Sequence, residues 1–286
     1  MNWETFVRDS NEQFRRVAFE RERPGSQAEA EMAACPSLPT AWGDDSPVAV
    51  AYGIAGAYLQ VASDHMGGLT RVIYLGANEL AVAPFSLARA VAEASAIAGW
   101  LTEDVGKDPR NAAIVRGSRA LTLTLESEVE RQRQARRITG ESVSRDPVSA
   151  SVIAATEGHP DFNLKRNVEG VAIRVGNEAV PKRGELQTRL TPNGGYGYFV
   201  LSSVSHGVAF AALGQIAAAI MDDPSAQMSR QTALVAALTA MGEAAIRLAD
   251  LKGLVLSQLQ TTVDFVNDVH RQRMDQLDIN HPGARP

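Results

Sequence analysis

The sequence predicts an all-α protein: a multi-helix bundle with one irregular segment, at about residues 157–195, that holds a short hairpin. Three observations support this fold class. Apolar residues recur at helical spacing in about seven segments. Aspartate followed by proline, an N-cap with proline at the first helical position, stands where two of these segments begin. Glycine and proline, which interrupt helices, are concentrated in the irregular segment.

The composition narrows the class of protein. The 286 residues are 45% hydrophobic and 21% charged, which suffices to bury a sizeable core and excludes an intrinsically disordered chain. The single cysteine, Cys35, excludes a disulfide framework and a cysteine-rich zinc site. A formal charge of -5 argues against a general nucleic-acid coat, although it is compatible with a local basic patch.

The first helix is predicted over residues 2–23, where apolar residues recur at near-helical spacing between charged ones. A Pro-Gly pair at 24–25 ends this helix, and the chain up to residue 47 is predicted as a long connection. The domain organisation follows from this division. Residues 1–47 are predicted to form an N-terminal helix with its connection, and residues 48–286 to form the helical bundle. The alternative is that the whole chain is a single domain.

Four helices are predicted in the middle of the chain, over residues 48–74, 84–101, 109–138 and 147–156. The glycines at 67–68 predict either close helix packing or a kink in the first of these. Asp108 and Asp146 are predicted N-caps, because each precedes a proline. Gly140 is the predicted C-terminal stop of the third helix.

The irregular segment contains Val171, Ile173 and Val175 in alternation, which predicts a short strand or hairpin. Beyond it, three helices are predicted over residues 196–221, 228–250 and 253–277. The Asp-Pro-Ser triplet at 223–225 is predicted as a turn, and the last nine residues as a frayed tail.

One segment has the length of a membrane span. Residues 192–221 contain no charged side chain and are long enough to cross a bilayer. Ser202, Ser203 and His206 would then lie in hydrocarbon, which is costly, so a buried core helix is expected instead. The N-terminus is charged and has no apolar signal region. We therefore expect a cytoplasmic protein without a membrane partner, and keep a membrane-associated protein as an alternative.

Arg89 and Glu93 are the only charged residues between Pro84 and Trp100. Their spacing of four places both side chains on one face of the predicted helix. Three interpretations remain open: a surface ion pair, a buried pair that fixes helix packing, or a pair that binds or acts on a substrate.

Asp64 and His65 end the uncharged run of the preceding helix. Adjacent side chains point about 100° apart on a helix, so only one of the two is expected to face inward. Asp64 is a candidate partner of Arg89 across neighbouring helices, and His65 is either a partly buried core histidine or a ligand-binding residue.

His206 lies in the most apolar predicted helix, with Tyr198, Ser202 and Ser203 on the same side. Imidazole is the side chain best suited to proton transfer near neutral pH, which makes His206 a catalytic candidate. The alternative is a core histidine that is hydrogen-bonded to a serine. No G-x-S-x-G elbow accompanies these serines, which argues against acyl-transfer chemistry.

Motifs for metals and phosphates are absent from the sequence. Neither H-E-x-x-H nor E-x-x-H occurs, and neither of the glycine-rich phosphate-binding motifs does, so no metal or other cofactor is predicted. The arginine-rich segment 126–137 is predicted as the solvated end of a long helix, where cations favour the helix dipole. An RNA-binding patch is the alternative for this segment, although interleaved aromatic residues are missing.

The chain resembles a loose group of helical actinobacterial proteins in which a D-H pair precedes a P-x-x-x-x-R-x-x-x-E helix, and a later helix carries a tyrosine, a serine and an S-H. Here these elements are Asp64-His65, then Pro84, Arg89 and Glu93, then Tyr198, Ser202 and Ser205-His206. It is more remotely similar to the HEPN superfamily of metal-independent helical nucleases and toxins. That likeness implies RNA cleavage by an arginine and a histidine. No arginine stands four to six residues before His206, so Arg89 would have to supply that role.

Together these residues predict a polar pocket inside the bundle for an anionic small molecule or RNA, in a ligand-binding or hydrolytic protein. Arg89 would anchor the anionic group, His206 would handle a proton, and Glu93 would orient one of them. The predicted ligand-binding residues are Asp64, His65, Tyr198, Ser202 and Ser203. The alternative is a non-enzymatic helical scaffold in which Arg89, Glu93 and His206 are structural. A homo-oligomer is expected in either case.

Overall fold

The computed structural model describes residues 2–39, 46–75, 80–141, 143–166, 172–182, 185–187, 201–205, 209–221, 223–255 and 257–280. It is an all-α multi-helix bundle with one small antiparallel sheet, which confirms the predicted fold class. The elements with full bounds are α1 (Trp3–Phe19), α2 (Gln27–Ala34), α3 (Pro47–Leu75), α4 (Ala83–Leu101), α5 (Pro109–Thr139), α6 (Pro147–Thr156), β1 (Leu164–Arg166), β2 (Ala172–Val175), α7 (Ala209–Ile220), α8 (Pro224–Leu251) and α9 (Ser257–Asn280).

Helices α3, α4 and α8 form the centre of the bundle, with α4 packed along both of the others and α1 packed across α3 and α8. Small side chains allow this close packing. At Gly242 in α8, a Cβ atom would lie 2.6 Å from Val263 of α9 and 3.0 Å from the Phe14 ring of α1. α3 is one uninterrupted helix across Gly67 and Gly68, and a Cβ atom at Gly68 would lie 3.7 Å from the Leu87 side chain of α4.

The Asp-Pro pair caps the two helices for which it was predicted as a start signal, and it caps a third helix as well. Asp108 and Asp146 accept hydrogen bonds from the backbone N–H groups of their first turns, and Gly140 ends α5 with φ of 76°. Asp223 does the same at α8, which therefore begins at Pro224. The prediction of a turn at 223–225 was wrong, because the Asp-Pro pair here also caps a helix.

Residues 24–47 are not one long connection. They contain α2, whose N-cap Ser26 accepts a hydrogen bond from the Glu29 N–H, while the Glu29 carboxylate accepts one from the Gly25 N–H. This is close to a capping box, and the alanines and glutamates that follow have high helix propensity. The S-x-x-E spacing of Ser26 and Glu29 was a signal for this helix in the sequence, and the prediction of a long connection did not use it.

α1 ends at Phe19 rather than at residue 23. Its last carbonyls are bound from outside the helix: the Lys252 ammonium donates to the carbonyl oxygens of Val17 at 3.0 Å and Glu20 at 2.8 Å. Glu20 then adopts an extended conformation. A tertiary contact therefore sets the end of α1, which spacing along the sequence does not predict.

The predicted short hairpin is present, with Ile173 and Val175 in β2, while Val171 lies outside the described residues. β1 pairs with β2 in antiparallel fashion, with Leu164 opposite Val175. The sheet packs on α5, where the Val175 N–H donates to Thr122 Oγ1 at 3.1 Å.

In the C-terminal half, the described part of the predicted helix 196–221 consists of residues 201–205, which are helical, and α7. α9 continues to Asn280, three residues past the predicted end at 277. Within the described residues, α8 is the helix that is long and apolar enough to cross a membrane. Of its most apolar stretch of 18 residues, 72% is buried inside the bundle. This burial is typical of a core helix.

Candidate functional site

The Arg89–Glu93 pair lies on α4, as predicted. Arg89 Nε donates to Glu93 Oε1 at 2.7 Å, and the two side chains are 15% and 20% exposed. One residue before Glu93, the Ala92 carbonyl accepts a hydrogen bond from the Gln187 side chain. The ion pair is therefore mostly buried on α4, close to where residues 185–187 dock. Its role toward a ligand stays a prediction.

Asp64 and His65 point in different directions on α3. Asp64 is exposed and accepts a hydrogen bond from Gln60 of the same helix at 2.8 Å, whereas His65 is half-buried. Arg89 pairs with Glu93 of its own helix, and the described ion pairs do not include one between Arg89 and Asp64.

The serines of the predicted pocket lie in a helical segment of the core. Ser202 and Ser203 are half-buried between the buried side chains of Leu201 and Val204. Tyr198 and His206 lie outside the described residues. Convergence of these side chains with Arg89 and Glu93 on one pocket therefore stays a prediction.

The sequence reasoning missed the most deeply buried polar cluster, which joins α2, α3 and α5. Arg116 NH1 donates to Glu31 Oε1 at 2.7 Å, and the two side chains are 1% and 0% exposed. The Tyr52 hydroxyl donates to Glu31 Oε2 at 2.6 Å, and Gln27 Nε2 donates to Oε1 at 2.8 Å. Three donors therefore bind the two oxygens of this carboxylate. The available signal was the pair Arg116 and Arg119, which are the only charged residues in the sequence between Arg110 and Glu126.

A second buried arginine, Arg119, lies one turn further along α5. Its Nε donates to Glu178 at 2.9 Å, its NH2 lies 3.3 Å from Glu103, and its guanidinium stacks 5.4 Å from the centre of the Trp100 ring. Arg119 also donates to the Trp100 carbonyl. It thereby links the end of α4 and the chain after β2 to α5.

Tyr52 and Cys35, which lie near Glu31, keep their protons. Burial, and then the hydrogen bond to Glu31, raises the pKa of the Tyr52 phenol, which keeps its proton on the donor oxygen. Burial also raises the pKa of the Cys35 thiol, which disfavours the reactive thiolate. Within the described residues, no group of three or more His, Cys, Asp or Glu side chains could hold a metal ion.

A further ion pair, Glu128 with Arg131, lies on α5 opposite the start of α6. Arg131 Nε donates to Glu128 Oε2 at 2.7 Å and its NH2 donates to Oε1 at 2.9 Å. Oε1 also accepts from Gln132 and from the Asp146 N–H. These hydrogen bonds lower the pKa of Glu128 from 4.5 to about 2, and the one from Arg131 makes the largest contribution.

Glu128 makes the free energy of unfolding depend on pH in the acid range. Because its pKa is lower in the folded chain, its stabilising contribution is present above about pH 4.5 and is lost as the pH falls toward 2. We expect Glu128→Gln to lower the free energy of unfolding by about 1.5–3 kcal/mol at pH 7. Urea titrations of both proteins from pH 7 to pH 3 should show this difference shrinking with pH, and a constant difference would contradict it.

The remaining candidate feature is a surface. α7 has no charged residue, and its sequence continues uncharged to Met221. The expectation of a buried core helix is wrong for this part of the chain, because none of the α7 side chains described at positions 211–219 is buried, and Leu213 and Met221 are 61% and 70% exposed. Leu213, Ile216, Ala217 and Met221 share one face at helical spacing. We call this set the α7 face.

Comparison with known proteins gives no family for this chain. No family model matches it, and neither the curated proteins nor the solved structures contain a match.

Proposed function

We propose that the chain is a non-enzymatic helical scaffold that assembles with a second copy of itself through the α7 face. The observation that carries the proposal is the exposure of this apolar helix. Side chains of this kind gain free energy when they leave water, at about 25 cal/mol for each Å² of apolar surface. An exposed apolar stripe on an otherwise well-packed bundle therefore marks an interaction surface.

The absence of charge on α7 favours a second copy of this chain as the molecule that covers the α7 face. The face carries no charge of its own, so two copies related by a twofold axis place no like charges together. The alanines and Gly214 of α7 allow two helices to approach closely. Helices that bind membrane surfaces carry lysines and arginines beside their apolar face, whereas α7 has none and is followed by Asp222 and Asp223.

The buried polar groups support a structural role in the same way. The Glu31 carboxylate accepts hydrogen bonds from three side chains. The Arg119 guanidinium contacts two carboxylates and a backbone carbonyl. Catalytic groups usually have a pKa poised near the working pH and an open side toward substrate. Tyr52 and Cys35 have their pKa values raised, away from neutrality.

Self-association is tested by the mass of the native protein. We expect native mass spectrometry and light scattering to give twice the chain mass of 30.6 kDa over a wide concentration range. Leu213→Glu combined with Met221→Glu should give the single-chain mass, because the added charges would face each other across the twofold axis. Both positions are exposed, so the variant should keep the circular dichroism spectrum of the wild type.

Ile138→Glu is the matched control. Ile138 is 84% exposed at the end of α5, so the same change there should leave the oligomeric state unaltered. A wild-type protein with the single-chain mass, or a double variant that remains dimeric, would contradict the proposal. If the wild type sediments with lipid vesicles and the double variant does not, the partner of the α7 face is a membrane and not a second copy of the chain.

A second candidate function is binding or cleavage of an anionic substrate such as RNA at Arg89, Glu93 and His206. The observation in its favour is the mostly buried Arg89–Glu93 pair in an otherwise apolar helix. RNA degradation in the presence of EDTA that disappears in His206→Ala would support this candidate. Retention of that cleavage in the variant would exclude His206 as the proton-transfer group.

A further inference from the structure

A groove on another side of the molecule carries an inference independent of the α7 face. It is an open cavity of about 360 Å³ between α3, α5 and the start of α6. Small-molecule sites in proteins have volumes of about 300–1,000 Å³, usually with apolar walls and a few fixed polar groups. The apolar part of this groove is formed by Ile54, Leu123 and the aromatic side chain of Tyr58.

The first fixed polar group is the Arg131 guanidinium. Glu128 holds its Nε and NH2, and NH2 also donates to the Ser144 carbonyl at 2.6 Å. These contacts fix the plane of the guanidinium although the side chain is 45% exposed. The remaining nitrogen, NH1, takes part in none of the hydrogen bonds of the described residues. An oriented N–H₂ group of this kind suits a carboxylate.

The second fixed polar group is the Asp146 carboxylate. Its Oδ2 caps α6 by accepting from the Ser149 N–H at 3.0 Å, and Oδ1 takes no donor among the described hydrogen bonds. The Asp146 N–H donates to Glu128 Oε1, the same carboxylate that holds Arg131. Glu128 therefore brings Arg131 and Asp146 to the same edge of the groove. Since Glu128 and Arg131 compensate each other, the groove keeps the negative charge of Asp146 and the N–H donors of Arg131 NH1.

We propose that this groove binds a free amino acid with an apolar or aromatic side chain. The ligand carboxylate would accept from Arg131 NH1, its ammonium would donate to Asp146 Oδ1, and its side chain would lie against Ile54, Leu123 and Tyr58. A zwitterion matches both groups, because its ammonium compensates the charge of Asp146 and its carboxylate accepts from the N–H donors of Arg131 NH1. A plain anion would meet the Asp146 carboxylate, and a plain cation would leave Arg131 NH1 without its acceptor.

Titration with L-phenylalanine, followed by NMR or calorimetry, tests the proposal. We expect saturable binding, and binding at least tenfold weaker for 3-phenylpropanoate, which lacks the ammonium, and for phenethylamine, which lacks the carboxylate. No saturation up to about 10 mM, the weak end of measurable affinity, would overturn the proposal. Equal binding of either analogue would also overturn it.

Two variants locate the binding. Asp146→Asn removes the charge but keeps a good N-cap for α6, so the protein should stay folded while L-phenylalanine binds at least tenfold more weakly. Arg131→Gln should weaken binding to a similar extent. The matched controls are Asp108→Asn, the same cap on α5 away from the groove, and Arg133→Gln, on the exposed side of α5. Unchanged affinity in Asp146→Asn, or equal loss in the controls, would refute the assignment.

Discussion

Glu31→Ala is expected to lower the free energy of unfolding by about 3–5 kcal/mol, the cost of leaving one member of a buried ion pair without its partner. Arg116 would keep its charge in a site where its side chain is 1% exposed, and Tyr52 would lose its acceptor. Urea denaturation followed by circular dichroism at pH 7 measures this change. Glu141→Ala is the control, because Glu141 is exposed after the end of α5 and its removal should cost less than about 1 kcal/mol.

The origin of this loss is tested by a double substitution. Glu31→Leu combined with Arg116→Met replaces both charges by apolar groups of similar size, which is often neutral or stabilising for buried pairs. We therefore expect most of the stability lost in Glu31→Ala to return. A double variant as unstable as Glu31→Ala would show that the loss comes from packing around α2 and not from an unpaired charge.

Lys252→Met is expected to lower the free energy of unfolding by about 2–4 kcal/mol, because buried carbonyl groups at the end of α1 lose their charged donor. The ammonium contacts the carbonyls of Val17, Ala18 and Glu20, and burial lowers its pKa. Hydrogen exchange should show lower protection of the α1 amides. Lys107→Met, at an exposed position, should leave both quantities close to the wild type. Unchanged α1 protection in Lys252→Met would contradict this role.

Local signals predicted most of the helical architecture. The bounds of α3, α4, α5 and α6 follow from apolar spacing, Asp-Pro caps and Gly140, because these features act within one turn of the helix end. The errors arose where the deciding interaction was distant, as at the end of α1, or where a local signal went unused, as at Ser26 and Asp223.

The candidate sites were harder to predict than the helices. Arg89 and Glu93 stand out in the sequence because they are four residues apart on an apolar helix, and the structure pairs them. Glu31, Tyr52 and Arg116 come from three helices up to 85 residues apart in sequence, so no spacing rule brings them together. The groove at Arg131 likewise depends on α3 and on the start of α6. Its arginine was predicted as part of a solvated helix end, and its ion pair with Glu128 is an i, i+3 pair within that helix. The packing of Ser144 and Asp146 against this pair is the part that spacing along α5 does not predict.

The contact between Lys252 and α1 also bears on how the chain is made. The Lys252 ammonium and the Val17 carbonyl are separated by 235 residues. At about 5–20 residues per second, a ribosome needs roughly 10–50 s to synthesise that interval. During this time α1 can pack on α3, but it has neither its terminal cation nor the α8 surface. We therefore expect the docking of α1 to be completed late during translation, and the part of its apolar stripe that faces α8 to be open to chaperones on the nascent chain.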